Sequence, residues 1–222
     1  MNSEFSKNGF IVIRGLFEPE YMVTLQTYFD LKNRVIQSDS NLKRNLTSSL
    51  QSGDVTETIV LYCDTLVEAT SLLYGPAICQ YLDLNLSPSY TYTRIYEKGN
   101  ILLPHTDRGE CEISLTCPVS ISDNRSSTIF ISNYEVPPEE RSIKNLDEIK
   151  FRGDYSRIDL LPGDALVYSG CNRYHWREPL ESDELIQFFM HYVITDGEYA
   201  DRVFDGRPYM GFPENTRNIN KR

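Results

Sequence analysis

Tyr90-Thr91-Tyr92-Thr93-Arg94-Ile95-Tyr96-Glu97-Lys98-Gly99-Asn100-Ile101-Leu102-Leu103-Pro104-His105-Thr106-Asp107 is where the pattern of this chain changes to a period of two. Aromatic and β-branched residues alternate from Tyr90 to Tyr96, as a pleated, half-buried surface requires. Glu97-Lys98-Gly99-Asn100 then turns the chain into a second apolar arm. That arm ends on an imidazole and a carboxylate two residues apart. Side chains at i and i+2 leave an extended backbone on the same side, so His105 and Asp107 can reach one point together. A neutral imidazole with one carboxylate is two-thirds of the facial set that holds non-haem Fe(II) with open coordination positions. A second His on another strand is needed. The chain has three in all, His105, His175 and His191, and His175 follows a strand-like segment in Tyr168-Ser169-Gly170-Cys171-Asn172-Arg173-Tyr174-His175.

Downstream, Cys111 to Ser120 places Cys111, Ile113, Leu115 and Cys117 on one side and Glu112, Ser114 and Thr116 on the other. A polar face on an otherwise buried strand predicts a strand lining a wet pocket. Thr128 to Ile131, Arg157 to Leu161, Ala165 to Tyr168 and Glu184 to Thr195 read as further strands, with Pro162-Gly163-Asp164 as a tight turn. The charged stretch from Asn133 to Tyr155, with Pro137-Pro138, reads as a long excursion near a rim. Upstream, Gly9 to Phe17 gives a short apolar strand and a glycine turn. Glu18-Pro19-Glu20 opens a helix that buries Met22, Leu25, Phe29 and Ile36. Lys43 to Gly53 is polar and turn-like. Asp54 as cap, with Val55, Ile59, Tyr62, Leu66, Ala69 and Leu73 at a 4-3-4-3-4 spacing, predicts a second helix that stops at Gly75-Pro76.

Helices followed by some eight short strands at hairpin spacing predict a mainly β domain. Its core is an antiparallel double-sheet jelly roll, the cupin-like double-stranded β-helix. No repeat or linker divides the chain, so a single domain is expected over residues 1–222. Helical support covers about 18–83, the core about 88–195 and a tail 196–222. Such a core brings distant strands around one cavity, so His105 and His175 can share a metal.

Composition narrows the function. The formal charge of −10 over 222 residues, with no basic cluster, argues against a protein that tracks nucleic-acid phosphates, so no nucleic-acid partner is expected. No apolar run approaches the ~20 residues of a membrane span, and nothing at the N-terminus reads as a signal peptide. Five scattered cysteines without a Cys-x-x-Cys pair read as reduced thiols in a cytoplasmic protein. Fifteen Tyr and ten Phe suit a β-rich fold with a lined cavity.

The chain resembles the Fe(II)/2-oxoglutarate-dependent dioxygenases of the prolyl-hydroxylase-like branch. The resemblance covers most of its length. It rests on Gly9-Phe10-Ile11-Val12 followed by Leu16-Phe17-Glu18-Pro19-Glu20, on Tyr96-Glu97-Lys98-Gly99 leading to His105-Thr106-Asp107, and on Pro162-Gly163-Asp164-Ala165 before His175. It implies His105, Asp107 and His175 as ligands of Fe(II), with 2-oxoglutarate and O2 as cosubstrates. The implied reaction is hydroxylation of an unactivated C–H bond in an amino acid, peptidyl side chain or small metabolite, with release of succinate and CO2. That branch holds the far carboxylate of 2-oxoglutarate with a basic residue nine to eleven positions after the distal His. Glu184, Leu185 and Ile186 stand there instead. Arg177, on the same side of its strand as His175, is then the expected anchor, with Arg94 as the alternative and Tyr96 as a pocket wall or hydrogen-bonding partner. His191 reads as a packing residue or a neighbour of the ligands, and Trp176 as packing on the opposite side.

Two rival readings use the same cavity. A cupin-like metal protein without 2-oxoglutarate would use His105, His175 and His191 as three imidazole ligands, which leaves Asp107 without a role. A non-catalytic jelly roll would bind a sugar or peptide and needs no metal at all.

Overall fold

The computed structural model describes residues 1–47, 57–141, 147, 149 and 152–213. Helix α1, Ser3–Asn8, is capped by the Asn2 side chain and closed by Gly9 in a left-handed conformation, φ 73°. Strand β1 follows at Phe10–Ile13. Helix α2, Pro19–Ser38, starts with proline in its first turn and buries Met22, Leu25, Phe29 and Ile36, the series expected from its spacing. The polar stretch after it is in part helical: Asp39 caps α3, Ser40–Leu46.

The second helix differs from its expected bounds. Ile59–Tyr62 is a strand, β2, paired antiparallel with the Tyr92–Ile95 segment of the following strand. Ile59 still faces the core, joined there by Leu61, so strand alternation can bury a position that also fits a helical period, whereas Ala69 and Leu73 of the expected series are exposed. Asp54 and Val55 lie outside the described residues. Asp64 caps the true helix, α4, Thr65–Leu82, by accepting from the Leu66 amide at 3.0 Å. This helix runs through Gly75-Pro76 rather than stopping there. A proline inside a helix costs about 3 kcal/mol. The two fully buried residues beyond it, Ile78 and Leu82, return about 1.5–3 kcal/mol each, so continuation wins.

Strands β3 (Leu86–Glu97), β4 (Leu102–His105), β5 (Ile113–Ile121), β6 (Ser127–Ser132), β7 (Tyr155–Leu160), β8 (Ala165–Tyr168), β9 (His175–Arg177) and β10 (Glu184–Ile194) complete the core. They form two antiparallel sheets, ordered β1-β8-β5-β10-β3-β2 and β4-β9-β6-β7. From β4 to β10 each strand thus lies in the sheet opposite its predecessor's, except β7, which forms a hairpin with β6. This is the jelly roll expected, with β1 and β2 extending the larger sheet. Its outer face packs on α2 and α4 through Phe17, Leu25, Phe29, Ile78, Phe188 and Met190.

Asp164, in the turn before β8, fastens β1 to this core. It accepts from the Gly15 and Leu161 amides at 3.0 Å each and from Arg14 at 2.7 Å. The segment after β10 folds back on the body. Arg207 pairs with Glu68 at 2.6 Å, both buried, and Asp205 receives both terminal nitrogens of Arg108 at 3.0–3.1 Å. All five cysteines are free. Among the described residues, no helix is long and apolar enough to cross a membrane.

Candidate metal centre

His105 ends β4 and His175 begins β9, and the two are direct partners across that antiparallel pair. Their ring centroids stand 4.2 Å apart. Each ring places Nδ1 against a backbone carbonyl, that of Leu103 for His105 at 2.9 Å and that of Arg173 for His175 at 3.1 Å. A carbonyl only accepts, so each Nδ1 donates and each Nε2 is the ring nitrogen turned toward Asp107. Both Nε2 atoms lie 3.5 Å from Asp107 Oδ1. Donors bound in adjacent positions at about 2.1 Å from a metal stand about 3 Å apart. The three atoms therefore need only a small inward movement to share one ion, and all ligand atoms of the set lie within 4.8 Å of one another.

Backbone contacts hold the carboxylate in place. The Asp107 amide donates to the Gly170 carbonyl at 2.8 Å. Gly170 has no side chain for a reason visible in space: a Cβ there would run into the Cys111 carbonyl, Asp107 Oδ2 and Ser114 Oγ. Ser114 hydrogen-bonds Oδ2 at 3.0 Å and His191 Nδ1 at 3.0 Å. Burial pushes the Asp107 carboxyl up, yet the His175 and His105 imidazoles outweigh it and hold the group well below the usual carboxylate range. Burial takes His191 down to about 4, which keeps it neutral at physiological pH.

Farther into the barrel, Arg177 is 4% exposed and packs its guanidinium over the Tyr96 ring at 5.6 Å. It donates to Ser127 Oγ at 2.8 Å, to Gln187 Oε1 at 2.7 Å and to the Thr128 carbonyl. None of these is an acid. Its Nε and the Tyr96 hydroxyl are both buried without a hydrogen-bond partner. Gln187 in turn donates to Thr116. Arg94 is only half-buried; it bonds Thr58 at 3.1 Å and lies over Tyr92 at 5.0 Å, turned toward β2. Trp176 stacks on Phe130 at 5.4 Å on the outer face of the smaller sheet, opposite to His175 and Arg177.

The structure thus brings His105, Asp107 and His175 together, sets Arg177 and Tyr96 side by side deeper in the barrel, and leaves Arg94 apart. Ser114 and Thr116 were visible as the polar face of β5. Gly170 and Gln187 gave no sign in the sequence, because their parts depend on which strands lie opposite.

No protein-family model matches the chain, and no curated protein matches it in sequence. Solved structures do match in shape. HygX from Streptomyces hygroscopicus, with nickel, 2-oxoglutarate and hygromycin B bound, aligns over 88% of each chain with a TM-score of 0.56 at 15% identity. The non-haem α-ketoglutarate-dependent carbocyclase SnoK from nogalamycin biosynthesis aligns over 87% of this chain and 84% of its own, with a TM-score of 0.60 at 13% identity. The fold is that of the Fe(II)/2-oxoglutarate-dependent oxygenases. A Pseudomonas putida prolyl-4-hydroxylase has it too, over 85% of this chain and 95% of its own, with a TM-score of 0.53 at 10% identity. Within this oxygenase fold, Gln187 of β10 stands twelve positions after His175, and the nearest buried cation on that side of the barrel is Arg177, bonded to it.

Proposed function

We propose that the chain is an Fe(II)- and 2-oxoglutarate-dependent oxygenase that hydroxylates a C–H bond of a small-molecule or peptidyl substrate, releasing succinate and CO2. One observation carries the reading. The Nε2 atoms of His105 and His175 both stand 3.5 Å from Asp107 Oδ1, while a buried arginine with no acidic partner among the described residues lies farther in.

His105, Asp107 and His175 would hold Fe(II) and leave positions open for cosubstrate. Bound there with 2-oxoglutarate, the iron would supply O2 activation and oxidation of a substrate C–H bond. The remaining roles belong to the chain. Arg177 and Tyr96 offer unpartnered Nε and hydroxyl groups to the distant carboxylate of the cosubstrate, and an arginine fork suits a carboxylate because it can bind both oxygens. A buried, unpaired guanidinium is costly, and burial already lowers its pKa. An anion in this seat removes that cost. The aromatic rings of Tyr96 and Tyr168, both fully buried, keep bulk water away.

HygX, with nickel, 2-oxoglutarate and hygromycin B bound, and the α-ketoglutarate-dependent SnoK support the reading by shape. A carboxylate at Asp107, rather than a small residue, favours hydroxylation. The three-imidazole reading is disfavoured, since His191 spends Nδ1 on Ser114 and stands behind Asp107 rather than beside the other two rings. Free cysteines agree with a cytoplasmic protein.

The test is anaerobic loading with Fe(II), then addition of 2-oxoglutarate and O2, with succinate as the readout. Fe(II)-dependent succinate that disappears in His105→Ala and His175→Ala is expected. Metal binding without oxoglutarate turnover would favour the cupin-like alternative, and no metal binding would leave only the binding module.

A further inference from the structure

The proposed ligand set uses two of the three histidines. The third, His191, is 4% exposed and sits directly opposite Ser114 in the β10–β5 register. The ring is held from both sides, with Tyr90 at 4.5 Å and Phe189 parallel to it at 6.3 Å between centroids. Ser114 Oγ has His191 Nδ1 at 3.0 Å, Asp107 Oδ2 at 3.0 Å and the Cys111 carbonyl at 3.3 Å, with the Tyr168 hydroxyl also beside it.

A hydroxyl has one proton to give and two lone pairs to receive. Asp107 Oδ2 and the Cys111 carbonyl can only accept, so both compete for that single proton. If Ser114 gave it to His191, Asp107 Oδ2 would lose its one hydrogen bond among the described residues. If His191 donates from Nδ1, the Ser114 proton stays available for the carboxylate, which is the nearer and stronger acceptor. Hydrogen-bond counting therefore fixes the direction: His191 Nδ1–H to Ser114, and Ser114 O–H to Asp107.

We propose that His191 and Ser114 are positioning residues that turn Asp107 so that only Oδ1 faces the metal. With Oδ2 held by Ser114, the carboxylate cannot swing to bind through both oxygens and take a fourth position. The three remaining positions stay open to cosubstrate and O2. The inference rests on the proposed metal centre and extends it to two residues behind the ligands.

The test uses Co(II) as a spectroscopic substitute for Fe(II), with the dissociation constant and the visible d–d spectrum as readouts. Thermal unfolding of the metal-free variants controls for folding. Asparagine places its amide nitrogen the same number of bonds from Cβ as Nδ1, whereas glutamine places it one bond farther. His191→Asn should keep the wild-type spectrum and affinity. Ser114→Ala and His191→Gln should weaken Co(II) by about 10- to 100-fold, as loss of groups that orient metal ligands does, and should change the d–d bands. A wild-type spectrum and affinity in Ser114→Ala, or identical behaviour of the Asn and Gln variants, would overturn the proposal. If Ser114→Ala fails to fold, the two His191 variants decide. A wild-type protein that binds no Co(II) would instead refute the metal centre itself.

Discussion

Replacing Arg177 by methionine tests the proposed cosubstrate anchor. The side chain is 4% exposed, its guanidinium donates to Ser127, Thr128 and Gln187 and lies over the Tyr96 ring, and it has no acidic partner among the described residues. Two effects of the change on the cosubstrate-free protein oppose each other. Loss of an unpaired buried charge is favourable by a few kcal/mol. Loss of donors to three acceptors is unfavourable by about 1 kcal/mol each. Stability of the free protein should therefore shift little, which separates a binding defect from unfolding. Binding is different, because a buried charged pair that loses one partner costs about 2–5 kcal/mol. At 1.4 kcal/mol per tenfold, the lower bound is about a 30-fold rise in the dissociation constant for 2-oxoglutarate. Anaerobic calorimetry on the Fe(II)-loaded protein measures it directly, and Fe(II) affinity should stay within about threefold of wild type, under 1 kcal/mol. Arg177→Lys keeps the charge but not the fork and should fall between the two. Wild-type oxoglutarate affinity in Arg177→Met, with a loss in Arg94→Met, would move the anchor to β3 and refute the argument from burial.

Asp107→Gly should lose most oxoglutarate turnover while the two imidazoles still hold some metal, and added formate should restore part of the activity; full activity without additive would remove Asp107 from the ligand set. Gly170→Ala drives a methyl group into the Cys111 carbonyl as well as Asp107 Oδ2 and Ser114 Oγ, so metal affinity should drop at least about 10-fold and thermal stability should fall with it, as metal titration beside thermal unfolding would show. Asp164→Asn tests the β1 fastening. Burial raises the Asp164 carboxyl, but the Leu161 amide and Arg14 together hold it below its ordinary value. A carboxylate depressed in the folded state stabilises above the unfolded pKa of about 3.9 and loses that contribution as pH falls through the folded value. The variant should therefore be about 1–3 kcal/mol less stable at pH 7, the gap closing below about pH 4; a gap that persists undiminished in acid would mean the carboxylate charge is not what matters.

Much of this architecture was legible in the chain. Alternation in β3 and β5 and the His105–Asp107 spacing need only the geometry of an extended backbone, and that geometry is local. The polar side of β5 could be read in the same way, since Ser114 and Thr116 fall on one face whatever lies across from them. Two errors have one origin. The run from Ile59 to Leu73 has apolar residues that suit a helical period, but Ile59–Tyr62 gains a ladder with β3 that no local pattern announces. Gly75-Pro76 looks like a stop, yet the burial of Ile78 and Leu82 against the larger sheet overrides it. Gly170 and Gln187 belong to a third kind: their meaning comes from neighbours on other strands and turns, Cys111, Asp107 and Ser114 for the first and Arg177 and Thr116 for the second.

β4 is the outermost strand of the smaller sheet, and two registered pairs join it to β9, one of them His105 with His175. A metal ion held by both rings is therefore also a clasp on an exposed sheet edge. Without the clasp, the energy needed to peel β4 away is set by very few backbone hydrogen bonds, and a freed edge offers unpaired amides and carbonyls to other chains. With it, opening the edge also costs the free energy of metal binding, which grows with metal concentration. With the proposed ligands, iron supply and resistance to aggregation would in this way be tied to a single rung, and amide exchange along Leu102–His105 would register both.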